Sequence, residues 1–110
     1  MQTLKLSLVL CLLLLSACRG NTQHTLKWRT ASEYRNFGYD VYRSESLSGP
    51  FKRITQTPIP GAGTTDQISL YEYIDTSAKK RQRYYYFIES ISEDGTRNQF
   101  TQPYPVIPEN

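Results

Sequence analysis

Tyr84-Tyr85-Tyr86-Phe87-Ile88-Glu89-Ser90-Ile91-Ser92, followed by Glu93-Asp94-Gly95, decides the fold. A run this rich in aromatic and branched side chains favours an extended strand over a helix. Asp-Gly directly after it signals a tight hairpin. Alternation places Tyr84, Tyr86 and Ile88 on one face, with Tyr85 and Phe87 on the other. Upstream, Thr25-Leu26-Lys27-Trp28-Arg29 alternates in the same way, so Leu26 and Trp28 share a face. In the next strand Phe37, Tyr39, Val41 and Arg43 line one side, and Gly38, Asp40 and Tyr42 the other. Ser48-Gly49-Pro50 turns the chain into a short strand over 51–54. Residues 57–66, with two prolines and two glycines, read as a loop. Residues 69–75 form a strand, and 96–106 return along the long one, broken by Pro103 and Pro105. No segment sustains helical periodicity. Short strands at this spacing predict an all-β antiparallel sandwich. Its inward residues are Leu26, Trp28, Tyr39, Val41, Ile54, Tyr73, Tyr84, Tyr86, Ile88 and Ile91.

The front of the chain has a different character. Lys5 and the free amine precede the apolar run Leu6 to Leu15, and Ser16 and Ala17 are small, as a signal peptidase requires. The run is short of the about 20 apolar residues that span a bilayer. Leu15-Ser16-Ala17-Cys18 at its end resembles a bacterial lipoprotein signal. That resemblance implies cleavage after Ala17, diacylglycerol on the Cys18 sulfur and an acyl chain such as palmitate on its new amine. Each buried methylene contributes about 0.8 kcal/mol, so two or three chains make release negligible. Arg19 follows the cysteine where an inner-membrane lipoprotein of enteric bacteria carries Asp. The resemblance therefore implies the outer membrane, facing the periplasm.

Three segments follow from this reading: a signal peptide over 1–17, a lipidated Cys18 with its tether over 18–24, and a domain over 25–108. Cys11 lies in the discarded run and Cys18 is acylated, which leaves no thiol for a disulfide or a metal site. Removing 17 residues from 110 leaves 93, enough for one small domain. Twelve Lys plus Arg then face ten Asp plus Glu, too even a balance for nucleic acid.

From Thr25 to Val106 the chain is similar to a fibronectin type III domain, an immunoglobulin-like sandwich. Trp28 stands at the family's core tryptophan on strand B. Gly38-Tyr39-Asp40-Val41-Tyr42-Arg43 resembles strand C, and Ser48-Gly49-Pro50-Phe51 with Ile54 the turn and strand after it. Tyr73 and Asp75 match the end of strand E. Tyr84, Tyr86, Ile88, Ser90 and Ile91, with Asp94-Gly95, match strand F and its turn. The resemblance makes Tyr84 the corner tyrosine, its hydroxyl bonded to upstream backbone. Ala78 replaces a usual leucine, and Lys80-Arg81 a usual Pro-Gly pair. Strand A is short or missing, because only residues 18–25 precede the Trp28 strand. The exposed edge this leaves either accepts a partner's strand, or is covered by residues 21–24 or by the C-terminal segment.

No catalytic or metal-ligating pattern stands out. His24, the one histidine, falls in the tether and reads as a solvated linker residue. Glu72 with Asp75, and Glu93 with Asp94, read as structural. The chain is therefore expected to be no enzyme and to need no cofactor. Tyr42, Tyr85 and Phe87 form a candidate binding patch on one sheet face, or cross-strand pairs that only stabilise it. Lys79, Lys80, Arg81 and Arg83 form a candidate basic loop for anionic lipid or polysaccharide, or a solvated turn. The expected function is a lipid-anchored, non-enzymatic interaction module binding a protein partner; the alternative is a carbohydrate-binding surface module.

Overall fold

The alternating runs become two facing antiparallel sheets in a computed structural model that describes residues 23–108. The described strands are β1 (His24–Thr30), β2 (Glu33–Ser44), β3 (Lys52–Arg53), β4 (Ile59–Thr65), β5 (Ser69–Asp75), β6 (Tyr84–Ser92), β7 (Arg97–Gln99) and β8 (Tyr104–Val106). β1 pairs with β5 along its whole length, from His24 opposite Asp75 to Thr30 opposite Ser69. The second sheet is built on β2 and β6, which pair with Tyr42 opposite Phe87. β3 and β4 succeed one another along the outer edge of β2, and β7 and β8 along the outer edge of β6. This is an all-β, immunoglobulin-like sandwich. Among the described residues the smaller sheet has two strands, with β1 at its edge. The signal segment over 1–17, Cys18 and most of the tether lie outside the described residues.

The core lies between the sheets because alternate residues of each strand point there. Leu26 and Trp28 from β1 meet Tyr39 and Val41 from β2 and Tyr84, Tyr86 and Ile88 from β6. Tyr71 and Tyr73 from β5, Ile54 and Ala78 pack on them, partly buried. Trp28 stacks on Tyr71 with ring centroids 5.4 Å apart and meets Tyr39 edge-on. Tyr84 is the corner tyrosine: its hydroxyl accepts the Lys79 backbone N–H at 3.0 Å. At the hairpin, Gly95 takes φ of 88° and Asp94 accepts the Thr96 N–H, the geometry an Asp-Gly turn supplies.

Four sequence expectations need correction. Residues 57–66 hold a strand, β4, although Pro58 and Pro60 suggest a loop. β4 is an edge strand, where a missing N–H costs no ladder bond. It runs close to β2 because Gly38 on β2 and Gly61 on β4 face the opposite strand without side chains; a Cβ on Gly38 would collide with the Ile59 carbonyl, and one on Gly61 with Asn36. Phe37 does not join Tyr39 inside but is 58% exposed. β2 is irregular between Asn36 and Gly38, and Arg35 sits at φ 46°, so the alternation breaks before Tyr39. Ile91 is buried, but outside the core cluster. Its register opposite Gly38 places it on the outer face with Phe87 and Glu89. His24 is no solvated linker residue. It opens β1, is buried, meets the Tyr84 ring edge-on, and places Nε2 2.5 Å from the Gln82 carbonyl oxygen.

Candidate functional site

The outer face of the larger sheet collects the sequence-predicted aromatics. Tyr42 and Phe87 sit directly opposite each other and stack, centroids 4.7 Å apart and planes 4° from parallel. Phe51, delivered beside them by the Ser48-Gly49-Pro50 turn, meets Phe87 edge-on at 5.1 Å. Tyr85 lies on the same face, opposite Ser44 and Pro105. No ring contact joins it to the pair among the described residues. The working cluster is thus Phe51, Phe87 and Tyr42, with Tyr85 beside it. Phe51 was legible as an apolar residue leaving a turn next to the Tyr42 strand.

A charged network borders the cluster. Asp40, on the same face of β2, is 1% exposed and accepts the Thr55 hydroxyl at 2.6 Å and Arg97 Nη1 at 2.8 Å. Arg53 approaches it at 3.9 Å. Arg97 Nη1 also donates to Glu89 at 2.6 Å, and Tyr42 Oη donates to Glu89 at 3.0 Å. Burial and then the Glu89 bond push the Tyr42 hydroxyl up, so it stays a protonated donor. The result is an aromatic centre with a rim of cations and carboxylates. All members come from β2, β3, β6 and β7 or the residues flanking them.

Two buried carboxylates between the sheets were not legible as sites. Glu33 is 8% exposed and gathers five donors. They are Tyr71 Oη at 2.5 Å, Thr30 Oγ1 at 3.0 Å, Tyr39 Oη and the Ala62 N–H each at 3.2 Å, and Asn36 Nδ2. Burial raises its pKa, but the donors led by Tyr71 outweigh this and hold it at about 2. Asp75 accepts Tyr86 Oη at 2.6 Å, Arg43 Nη1 at 2.8 Å and the Ser77 hydroxyl at 2.7 Å. Burial opposes these bonds and loses, so Asp75 is also held below its ordinary value. Arg43 lies over the Tyr84 ring. The signal for this group was Arg43 itself, a cation on an otherwise inward-facing set, which requires a buried counter-charge. Glu33 had no such marker. Glu72 is separated from Asp75 by strand alternation; it is exposed and pairs with Lys27 at 3.8 Å.

The basic loop caps the end of the sandwich where β1 begins. Lys79, Lys80, Arg81 and Arg83 are all exposed, and none forms an ion pair among the described residues. Gln82 fixes the turn from within. Its carbonyl meets His24, and its side chain donates to Glu45 at 2.7 Å. A hollow of about 490 Å³ beside the loop is lined by Lys79, Arg43, Lys52 and the serines at 44, 46 and 77. No group of three or more His, Cys, Asp or Glu among the described residues is placed to hold a metal ion.

One known relative can be set beside this geometry. The chain is similar to an amylopullulanase of Thermoanaerobacter thermohydrosulfuricus, 32% identical over 74 residues. That match covers 66% of this chain and about 4% of the relative's length. No family model matches the chain, and no solved structure does.

Proposed function

We propose that this chain is a non-catalytic interaction module of the bacterial cell envelope, a fibronectin type III-like sandwich held by lipid on Cys18, and that it works on carbohydrate. Its binding surface is the outer face carrying Phe51, Phe87 and Tyr42. The observation that carries the proposal is this aromatic cluster on a sheet face that no other described strand covers. Aromatic rings suit sugars because their faces accept the apolar side of a pyranose, while neighbouring polar groups bond the hydroxyls. Arg97, Glu89, Asp40 and Arg53 are those neighbours. The relative supports the choice of ligand: its name is that of a carbohydrate-active enzyme, and the match covers only about 4% of its length.

Affinity electrophoresis of the full lipidated chain in gels containing soluble starch or pullulan tests this reading. Retardation that disappears in Phe87→Ala and Phe51→Ala, with circular dichroism unchanged, supports it. Migration unaffected by either polymer, and by peptidoglycan and acidic glycans, defeats it. A second reading, docking of a protein, is favoured by one observation. Tyr42 and Phe87 occupy one face of each other, which leaves less ring surface for sugar and an aromatic centre within an Arg-rich rim. Retention on a protein partner that Phe87→Ala abolishes, with no glycan retardation, selects this second reading.

A further inference from the structure

We infer that the end of the sandwich formed by residues 79–83 is a seat for anionic lipid headgroups. The inference rests on the Cys18 anchor proposed above.

Three observations meet at this end. The first is charge: four cations in five residues, Lys79-Lys80-Arg81-Gln82-Arg83, all exposed except Gln82, with no ion pair among the described residues. Nearby carboxylates offset them only in part: Asp75 is engaged by Arg43 and Tyr86, while Glu45, which accepts from the neutral Gln82 side chain, keeps its charge and balances one cation. Lys52 adds a further exposed cation at the same hollow.

The second is position. The His24 ring touches the Gln82 carbonyl, so the chain enters the domain against this turn. Cys18 is six residues before His24. Six residues reach at most about 22 Å even when fully extended. A lipid on Cys18 therefore keeps the entry end within reach of the bilayer surface.

The third is asymmetry. Glu93 and Asp94 lie in the turn after β6, and Asp66 in the turn before β5, so these acids sit at the opposite end from residues 79–83. Arg35 lies beside Glu93 and Asp94, so the far end carries both signs, whereas the anchored end sets the four cations of 79–83 against Glu45. An anionic surface draws the more cationic end, 79–83, down. Gln82 is fixed by His24 and Glu45, so the cations stand on a held turn and not on a loose one.

The test uses the full chain, purified with its lipid and placed in vesicles of phosphatidylcholine, with or without about one third phosphatidylglycerol. Intact mass reports the lipid on Cys18, and so judges the anchor separately from the seat. A fluorescent label on Thr76→Cys reads the basic end, and one on Glu93→Cys reads the far end. With phosphatidylglycerol, aqueous iodide should quench the Thr76 label at least about threefold less than the Glu93 label. The difference should vanish in pure phosphatidylcholine. It should also vanish when all four cations are changed (Lys79→Gln, Lys80→Gln, Arg81→Gln and Arg83→Gln). Each removed cation near an anionic surface is expected to weaken seating about fivefold. Equal quenching at both labels with phosphatidylglycerol, or protection that survives the fourfold variant, overturns the inference. If Cys18 carries no lipid, the anchor fails; co-sedimentation of the same chain with phosphatidylglycerol vesicles then decides the seat, and its absence overturns that too.

Discussion

Replacing Glu33 with Gln should unfasten one end of the sandwich, and pH should reproduce the effect. The Glu33 carboxylate is buried, and its donors come from the end of β1, from β2 itself, from β4 and from β5. Gln keeps the shape but removes the charge and turns one acceptor into a donor, which then faces donors already in place. The magnitude follows from its titration. A carboxyl ordinarily at 4.5 and held at about 2 in the fold corresponds to roughly 3 kcal/mol of stability. Solvent at the rim of the site lowers this to about 2 kcal/mol. The folded value lies below the unfolded one, so the stability is fully present above pH 4.5 and is lost as pH falls toward 2. Urea titration followed by Trp28 fluorescence suits the measurement, because Trp28 is the single tryptophan and stacks on Tyr71, a Glu33 donor. Glu33→Gln should lose about 2 kcal/mol at pH 7, and the gap to wild type should close between pH 4.5 and 2. A loss under about 0.5 kcal/mol at pH 7, or a gap that stays constant with pH, would refute the reasoning.

Trp28→Ala should cost about 3–5 kcal/mol, because it empties the centre of the Tyr39–Tyr71 contact; a urea midpoint close to wild type would remove Trp28 from the core. Tyr86→Phe takes the hydroxyl from Asp75 and should cost about 1–3 kcal/mol. The Asp75 carboxyl should then titrate closer to its ordinary value by NMR, and an unchanged titration would mean that Arg43 and Ser77 set it without Tyr86. Gly38→Ala should cost about 1–3 kcal/mol by pushing β4 from β2. Faster amide exchange confined to β4 and its ladder with β2 checks this, and unaltered exchange there contradicts the close approach.

Period-2 patterns carried most of the fold. β5 and β6 start and end where composition and turn signals place them, because both strands are half-buried and uninterrupted. The bond of the Tyr84 hydroxyl to upstream backbone was expected from the resemblance to fibronectin type III domains, not from the strand pattern. Reading failed where a local rule met a tertiary one. Pro58 and Pro60 are loop signals in isolation, but Pro58 lies just before β4 and Pro60 fits an edge strand. Phe37 follows the alternation only if β2 is regular, and the irregularity at Asn36–Gly38 has no marker besides the glycine. His24 reads as tether until Gln82, 58 residues on, turns out to lie against it. Of the candidate patch, Tyr42 and Phe87 were legible because cross-strand pairing follows from register, whereas the rim depends on Arg97 and Asp40, 57 residues apart.

The two buried carboxylates explain how a two-stranded sheet stays closed over a larger one. Apolar contact between the sheets is concentrated in the middle, on Trp28, Tyr39, Val41, Tyr86 and Ile88. At one end, Glu33 on β2 accepts from Tyr71 on β5; at the other, Asp75 on β5 accepts from Arg43 on β2 and Tyr86 on β6. β5 is therefore fastened to the larger sheet at both ends, once as donor and once as acceptor. Each carboxylate has enough donors to lower its pKa despite burial, so neither is an uncompensated buried charge. A neutral replacement of either would leave several oriented donors facing an inadequate acceptor. Interactions of this kind resist sliding of one sheet over the other more than apolar packing does, because they require particular atoms to meet. They also keep the outer face of the larger sheet and the 79–83 end in fixed relation. The pin at Asp75 closes the end where the chain enters, and the pin at Glu33 closes the end that carries the acidic turns. In the proposed arrangement, a sandwich held in this way would present its aromatic face sideways while its cationic end rests on the membrane surface.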